Sequence, residues 1–194
     1  KKWITNKFSR GRVHLMRSNH DCILTSVKTI IIDNATLTCR IRGLENRSPS
    51  RIILDKILKI PARSNIVRSA NKYRTIIFFN KANQKKIETL KKLKIKLIKV
   101  PLSDDGNFDL ENILMNIKLL GFSRIFLESG LNLTTSFLNK NLVDNFYLFI
   151  SNKNLGKNGD NSFKENMKLF LKKRKFTTER VNLLGDKLIS YRIK

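Results

Sequence analysis

The feature that most constrains this fold is a regular alternation of short apolar runs with longer amphipathic segments. Runs of strand length predict β-strands at residues 22–26, 51–54, 75–79, 96–100, 124–127 and 145–150. Apolar residues at helical spacing predict intervening helices at residues 83–93, 108–120 and 131–139. Strands separated by single helices require crossover connections. We therefore predict an α/β fold with a mostly parallel sheet and helices on both faces.

The two ends of the chain extend this pattern. Residues 5–19 are predicted to form a helix with Thr5 as its N-cap. One face of that helix would be apolar, through Ile4, Phe8, Leu15 and Met16, and Arg10, His14 and Arg17 would share a neighbouring face. Residues 27–38, after the first strand, are predicted to be irregular. Gly121 is predicted to end the helix at residues 108–120.

The C-terminal part has a different pattern. A helix is predicted at residues 162–171, followed by strands at residues 176–183 and 187–193. Leu184, Gly185 and Asp186 would join these strands in a β-hairpin, so we expect a mixed sheet. The 194 residues fit one domain of ordinary size, and no apolar run approaches the roughly 20 residues of a membrane span.

The cysteine count and the net charge limit which cellular compartment and which classes of partner are compatible with this chain. Cys22 and Cys39 lack the spacing of a zinc site or a disulfide framework, so we expect reduced thiols in the cytoplasm. The 40 Lys and Arg residues against 15 Asp and Glu give a net charge of +25, which attracts anionic partners. Nucleic acid, a small polyanionic ligand and a lysine-rich proteome bias all fit this charge. The basic residues are dispersed along the chain, which favours a lysine-rich proteome bias combined with binding of a phosphate-bearing ligand. We therefore expect no specific nucleic-acid partner.

Residues 125–137 are the most informative segment. An apolar strand runs into Glu128, Ser129 and Gly130 and then directly into a helix. Ligands of parallel α/β sheets bind outside the carboxyl ends of the strands, and a helix N-terminus there suits phosphate. Asn132, Thr134 and Thr135 could add donors. The same residues also fit an ordinary strand–turn–helix connection in which Glu128 and Thr134 cap the helix, so both interpretations stay open.

A second segment, residues 23–40, carries Thr29, Asp33 and Arg40 beyond a buried strand. The residues alone favour a surface loop with a turn at Asp33 and Asn34. Two isolated histidines, His14 and His20, are too few for a metal site or a catalytic triad, so no metal is expected.

Taken together, the ordered motifs resemble a known family. Trp3-Ile4-Thr5 and Arg17 are followed by a run from Ile23 to Arg40 that matches I-L-T-[GS]-x-x-T-x-x-x-D-x-P-x-L-T-x-R, with Ala35 at the proline position. Further matches lie at residues 51–55, 106–110, 127–133 and, loosely, 142–156. The chain resembles the C-terminal reductase domain of the bifunctional riboflavin biosynthesis deaminase/reductase.

The resemblance implies a dihydrofolate reductase-like fold and an NADPH-dependent reduction of 5-amino-6-(5-phosphoribosylamino)uracil to its 5-phosphoribitylamino product. It implies substrate contacts at Arg17, Leu37, Arg40 and Glu128. It also implies cofactor contacts at a larger set of positions: Trp3, Thr29, Asp33, Gly130, Leu131, Asn132, Leu133, Thr134, Thr135 and Ser136. For catalysis, our own hypothesis is that Asp33 orients or relays a proton.

Departures from the family bear on organisation. The family carries a further strand before the tryptophan, so we expect residues 1–194 to be a single reductase domain that lacks its first N-terminal strand, in a chain that opens at Lys1. The resemblance also implies a homodimer and a zinc deaminase domain fused N-terminal to this chain. Two alternatives stay open: a dihydrofolate reductase-like enzyme for another pterin or pyrimidine, and a non-catalytic basic nucleic-acid-binding protein.

Overall fold

The computed structural model describes residues 4–153 and 165–194. Trp3 lies outside these residues, as do residues 162–164 of the predicted C-terminal helix. The helices and strands run in the order α1 Lys7–Ser18, β1 Cys22–Ser26, α2 Val27–Asp33, β2 Ser50–Leu54, α3 Asn65–Arg68, β3 Thr75–Phe79, α4 Gln84–Lys92, β4 Lys96–Lys99, α5 Leu110–Leu119, β5 Ile125–Leu127, α6 Leu131–Asn139, β6 Asn145–Ile150, α7 Glu165–Lys172, β7 Phe176–Thr178 and β8 Lys187–Arg192. A single 3-10 turn, Glu45–Arg47, precedes β2. None of the described helices is long and apolar enough to cross a membrane.

Two compact units make up the chain. One is His14–Thr134, and the other combines the residues before it with those after it. The boundaries fall inside α1 and α6, so each of these helices contributes to both units. A single domain over residues 1–194 stays a prediction.

The larger unit contains a five-stranded sheet in the order β4-β3-β2-β1-β5. All four strand pairs are parallel. The sheet begins at β1, extends through β2 and β3 to the edge strand β4, and is completed on the other side of β1 by β5. The parallel α/β sheet predicted from the alternating pattern is therefore confirmed.

Strand order also assigns the helices to faces. Crossovers between parallel strands are right-handed, so α2, α3 and α4 cover one face and α5, whose connection runs the opposite way, covers the other. The first face packs one apolar cluster, in which Ile23, Ile53 and Ile77 of the sheet meet Ile30 of α2 and Leu90 of α4. The alternate residues of the same strands are buried as well, as expected for a sheet covered on both sides: Cys22, Leu24, Ile52, Leu54, Ile76 and Phe78.

Arg51 of β2 is an exception inside this core, because its side chain is fully buried and no carboxylate of the described residues pairs with it. Its guanidinium donates to the Thr75 and Ser69 hydroxyls and to the carbonyls of Thr36, Ile66 and Tyr73. Burial lowers the pKa of Arg51 to about 10. The side chain thereby ties the segment after α2 to the segment that precedes β3.

Residues 27–33 correct one prediction, because they form α2 rather than an irregular stretch. The helix is rich in β-branched residues, which have low helix propensity, and local pattern therefore argued against it. Tertiary burial decides the outcome: Ile30 enters the core, and Asn34 ends the helix in the left-handed conformation with φ 46°. The other predicted elements of this unit are confirmed within two residues, and Gly121 ends α5 with φ 89°.

The N-terminus of α1 corrects another prediction. Asn6, not Thr5, is the N-cap, because its Oδ1 accepts from the backbone N–H groups of Phe8 and Ser9 at 2.9 and 3.1 Å. The predicted apolar face is also incomplete: Ile4 and Phe8 are 53% and 40% exposed. The buried side chain in this first turn is Ser9, whose hydroxyl donates to the buried carboxylate of Asp186.

The smaller unit contains an antiparallel sheet in the order β6-β8-β7. The antiparallel strands thus form a sheet of their own. The predicted strand over residues 176–183 ends at Thr178, so residues 179–186 connect β7 and β8 in place of a tight turn at Leu184–Asp186. Asp186 directly precedes β8, and its carboxylate accepts hydrogen bonds from the Asn6 backbone N–H and the Ser9 hydroxyl at the start of α1.

Candidate functional site

The site begins where β1 and β5 end side by side. The strand order reverses between these two strands, and such a switch point leaves a crevice outside the carboxyl ends of the strands. The backbone N–H of Glu128 donates to the carbonyl of Leu24 at 3.0 Å, so Glu128 is held next to the end of β1. Beyond this point β1 leads into α2 and β5 leads into α6.

Arg17 and Glu128 form a two-point ion pair at this position. Arg17 Nε donates to Glu128 Oε2 at 2.8 Å, and Nη2 donates to Oε1 at 2.6 Å. The side chains are 10% and 29% exposed, so the pair is largely removed from water while the carboxylate keeps an open side. Parallel charge-assisted bonds of this kind fix geometry as well as charge. Two residues that the resemblance assigned to the substrate are therefore in direct contact.

The segment after α2 supplies the third component. Arg17 Nη1 donates to the carbonyl of Thr38 at 2.9 Å. The preceding residue, Leu37, is 2% exposed and has φ 54°, a left-handed conformation that is uncommon for a branched side chain. Its side chain belongs to the core, and Arg51 holds the Thr36 carbonyl at 3.2 Å. Leu37 therefore packs in the core, and its assignment to the substrate stays a prediction.

His14 and Arg40 complete the cluster. His14 Nδ1 lies 2.9 Å from the Thr38 carbonyl, and His14 Nε2 lies 3.2 Å from Nη2 of the exposed Arg40. Burial first, and then the charges of Arg17 and Arg40, lower the pKa of His14. Sequence reasoning placed His14 on the same helix face as Arg17 but gave it no role. Its spacing of three residues from Arg17 was the available signal.

Gly130 begins α6 at the edge of this cluster. Its carbonyl accepts from the backbone N–H of Thr134 at 3.3 Å, which makes it the N-cap. A Cβ added at Gly130 would meet no atom within 4 Å, so the space beside the backbone is open. The Ser129 and Thr134 hydroxyls lie 3.3 Å apart. Glu128 therefore does not cap α6, as one interpretation of the sequence allowed, because its carboxylate binds Arg17.

Three buried hydroxyls have no hydrogen-bond partner within the described part of the chain. They belong to Thr25, which lies near the end of β1 and is fully buried, to Thr135 of α6, and to Ser64, which precedes α3. A buried hydroxyl without a partner is destabilising unless a ligand or a water molecule satisfies it. Thr135 was assigned to the cofactor by the resemblance, whereas Thr25 was not assigned.

The remaining predicted positions lie on α2 and α6. Thr29 and Asp33 are one helical turn apart on α2, with Thr29 half-buried and Asp33 exposed. On α6, Leu131 and Leu133 are half-buried, whereas Asn132 and Ser136 are exposed. Trp3 lies outside the described residues. The roles of these positions stay predictions.

The donor set indicates which chemistry the site can and cannot perform. Within residues 4–153 and 165–194, no group of His, Cys, Asp and Glu could hold a metal ion. Burial raises the pKa of the Cys22 thiol to about 12, so it cannot act as a nucleophilic thiolate near neutral pH. What remains is a carboxylate with an open side, an exposed guanidinium for an anion, and a helix N-terminus beside open space. Such a set can bind and orient a phosphorylated, hydroxyl-rich ligand.

The chain is similar to several riboflavin biosynthesis proteins. A riboflavin biosynthesis protein RibD from Aquifex aeolicus is 33% identical over 196 residues, covering 98% of this chain and 51% of the relative. A 5-amino-6-(5-phosphoribosylamino)uracil reductase from Buchnera aphidicola is 28% identical over 169 residues, covering 80% and 77%. A solved diaminohydroxyphosphoribosylaminopyrimidine deaminase/5-amino-6-(5-phosphoribosylamino)uracil reductase from Thermotoga maritima aligns with a TM-score of 0.70 at 26% identity, covering 98% and 50%.

These likenesses confirm the dihydrofolate reductase-like α/β fold and the resemblance drawn from the ordered motifs. The chain spans about half the length of the Aquifex relative. The family model described as the RibD C-terminal domain matches residues 1–188. This match extends over both compact units, and the chain therefore belongs to the RibD C-terminal domain family.

Proposed function

We propose that this chain is a riboflavin biosynthesis reductase that uses NADPH to reduce 5-amino-6-(5-phosphoribosylamino)uracil to its 5-phosphoribitylamino product. The observation that carries the proposal is the cluster at the switch point, where Arg17, Glu128 and Arg40 converge on the ends of β1 and β5. Family membership and the reductase name of the Buchnera relative support the reaction class.

The residues present fit a nicotinamide dinucleotide. The open space beside Gly130 admits a diphosphate close to the backbone, where the first-turn N–H groups of a helix lack carbonyl acceptors within the helix. Thr135, which the family resemblance assigns to the cofactor, has a buried hydroxyl without a partner in the described residues. Thr29, Asp33 and the remaining positions of α6 would line the rest of the cofactor site. When bound, the nicotinamide supplies the hydride that the protein itself cannot supply.

The chain's own residues bind and orient the substrate. Glu128, held by Arg17, presents its open side to the hydroxyls of the opened ribose. Arg40 meets the phosphate, since an exposed guanidinium can pair with it at two points. Asp33, exposed at the end of α2, is our candidate for relaying the proton that the ribose ring oxygen takes up when the ring opens.

The first experiment combines cofactor binding with turnover. We expect calorimetry on the purified protein to show tighter binding of NADPH than of NADH, and turnover of the ribosylaminopyrimidine but not of dihydrofolate. Arg40→Gln should raise KM for this substrate about tenfold, which corresponds to about 1.4 kcal/mol of binding free energy. Arg42→Gln removes the same charge from an exposed residue two positions away and should leave KM unchanged.

Each result has a defined meaning. A folded protein that binds no nicotinamide nucleotide would overturn the reductase proposal. Equal KM changes in the Arg40 and Arg42 variants would show that net charge, not Arg40, attracts the phosphate. Turnover of dihydrofolate in place of the ribosylaminopyrimidine would show that the enzyme reduces a pterin substrate with the same fold. An unchanged kcat in Asp33→Asn would remove the proton-relay role.

The wider organisation is part of the same proposal. The Thermotoga structure is named as both deaminase and reductase, and this chain covers 50% of it. We therefore expect a zinc deaminase domain in the same pathway, fused N-terminal to this reductase and outside residues 1–194. Because the described helices include none that could span a membrane, a cytoplasmic location is consistent with the proposal. Detection of the full-length product by mass spectrometry and fractionation of cell extracts test these two expectations.

A further inference from the structure

We propose that His14 is a positioning residue that holds the Arg40 guanidinium in the orientation in which it meets the anionic group of the ligand. The identity of that ligand as a sugar phosphate rests on the proposed function. The contact between His14 and Arg40 does not. None of the family features described above assigns a role to His14, and its place in the cluster follows from the geometry alone.

The tautomer of His14 follows from its partners. The Thr38 carbonyl, 2.9 Å from Nδ1, can only accept a hydrogen bond, so Nδ1 carries the proton. Nε2 therefore carries the lone pair and can accept from Arg40, whose Nε and Nη2 lie 3.3 and 3.2 Å away. The approach of Arg17 Nη1 to Nδ1 at 3.3 Å is then a contact between two donors, and Arg17 donates instead to Glu128 and Thr38.

These bonds form a continuous chain from the ion pair to the exposed arginine. Glu128 fixes Arg17, Arg17 and His14 share the Thr38 carbonyl, and His14 fixes Arg40. Arg40 is exposed and follows a segment without regular structure, so without this acceptor its guanidinium would be free to take many orientations. A preoriented guanidinium loses less conformational entropy when it binds an anion.

Charge explains why a histidine suits this position. The charged groups that face the imidazole are Arg17 on α1, Arg40 on the segment after α2, and Glu128 after β5. Burial together with the two arginines keeps the pKa of His14 below its ordinary value of 6.5, so the ring is neutral near pH 7. A neutral ring can donate to Thr38 and accept from Arg40 at once, whereas a lysine or arginine could not accept.

Two substitutions separate the two hydrogen bonds of His14. The amide nitrogen of asparagine occupies the place of Nδ1, so His14→Asn keeps a donor for Thr38 and loses the reach to Arg40. The longer side chain of glutamine reaches the place of Nε2, so His14→Gln keeps an acceptor for Arg40. His20→Gln is the matched control, because His20 bonds the Met16 carbonyl and its ring centroid lies 5.1 Å from that of Phe126, outside the Arg40 contact.

The measured quantity is the dissociation constant for ribose 5-phosphate by calorimetry at pH 8, with KM and kcat for the ribosylaminopyrimidine alongside. We expect His14→Asn to weaken binding about fivefold, as for the loss of one hydrogen bond, and to raise KM by the same factor with little change in kcat. His14→Gln and His20→Gln should stay within about twofold of the unaltered protein. NADPH binding and the unfolding midpoint report whether each variant is folded.

A second measurement reads the contact without any ligand. In NMR titrations of the ring nitrogens, Arg40→Gln should raise the pKa of His14, because one of the neighbouring cations is removed, and Arg42→Gln should not. The proposal is overturned if the pKa of His14 does not respond to Arg40→Gln, or if His14→Gln weakens ribose 5-phosphate binding as much as His14→Asn. The ribose 5-phosphate affinities and the His14 pKa response could both be as expected while the protein shows no NADPH-dependent turnover. That outcome would overturn the proposed function and leave the positioning role of His14 standing.

Discussion

At the scale of single residues, Gly130 is the position where the fold and the proposed function make different demands. Its φ lies outside the left-handed region, and a Cβ there would touch nothing within 4 Å. Neither backbone strain nor packing within the described chain therefore requires a glycine. What would require it is a ligand that approaches the backbone at the start of α6.

This predicts that Gly130→Ala separates binding from stability. We expect the dissociation constant for NADPH to rise at least tenfold, about 1.4 kcal/mol, because the new methyl group occupies the space of the diphosphate. Replacing an N-cap glycine by alanine should cost less than about 1 kcal/mol of unfolding free energy. Calorimetry and urea unfolding measure the two effects.

Gly11→Ala provides the control for this prediction. Gly11 lies in α1, where an added Cβ also meets nothing within 4 Å. The substitution should stabilise the helix by up to about 1 kcal/mol and leave NADPH binding unchanged. If Gly130→Ala leaves the NADPH affinity unaltered, the diphosphate does not bind at the start of α6.

At the scale of an element, the N-terminus of α1 depends on a residue from the far end of the chain. The first turn of α1 contains no acidic residue, but the Asp186 carboxylate accepts from the Asn6 N–H at 2.9 Å and from the Ser9 hydroxyl at 2.6 Å. A carboxylate at a helix N-terminus also interacts favourably with the helix dipole. The Ser9 hydrogen bond first, and then the Asn6 N–H, hold the pKa of Asp186 below its ordinary value of 3.8.

This lowered pKa predicts an acid-sensitive contribution to stability. The unfolded chain binds the proton of Asp186 more tightly than the folded chain does, so stability rises with pH across this range. The contribution should be fully present above the ordinary aspartate pKa and be lost as the pH falls through the lower folded value. The free energy of unfolding, measured with urea at pH values from about 6 to about 2, reports this contribution, because carboxyl groups titrate in this range.

Asp186→Asn is the informative comparison because it keeps the shape of the side chain and removes its titration. We expect this variant to be less stable than the unaltered protein near neutral pH and to lose part of the decline at acid pH. Asp104→Asn, at an exposed loop position, should retain the full decline. A decline of equal size in Asp186→Asn would show that other carboxylates cause it.

At the scale of the whole molecule, the homodimer implied by the family resemblance needs an apolar surface. One face of the β6-β8-β7 sheet carries Phe146, Tyr191 and Phe176 in one row, with ring centroids 6.1 and 5.8 Å apart. Within this row Tyr191 is buried and Phe146 is half-buried, so the accessible apolar surface lies toward the edges of the sheet. Phe176 is 61% exposed and Ile150, on the same face, is 41% exposed. We predict that this face is covered by a second copy of the chain.

A charge placed on this face should prevent the dimer. We expect Phe176→Lys to be monomeric by light scattering at concentrations where the unaltered protein is dimeric, since burying an unpaired lysine is costly. Thr177→Lys adds the same charge to the next residue of β7, which is also exposed but projects from the opposite face of the sheet. Identical masses for both variants and the unaltered protein would place any dimer contact elsewhere.

Much of the architecture could be predicted from the sequence alone. Strands that are buried in a parallel sheet appear in the sequence as short apolar runs, and amphipathic helices appear as periodic ones. The parallel strands Cys22–Ser26 and Thr75–Phe79 and the helix Leu131–Asn139 therefore have the predicted bounds, as does the antiparallel strand Asn145–Ile150. The strand–glycine–helix segment was identified as a site candidate because phosphate chemistry there depends on local backbone. The ordered motifs identified the family, which the RibD C-terminal domain match confirms.

Only the tertiary structure decided which distant residues meet. Arg17 and Glu128 are 111 positions apart, and nothing local indicates that the guanidinium binds this carboxylate. The same holds for the Asp186 carboxylate at the start of α1, for the buried Arg51, and for α2, whose helical form depends on burial of Ile30. The role proposed for His14 could not be seen in the sequence for the same reason. Periodicity encodes which side of an element is buried, whereas hydrogen-bond partners are set by how the packed elements bring separate segments together.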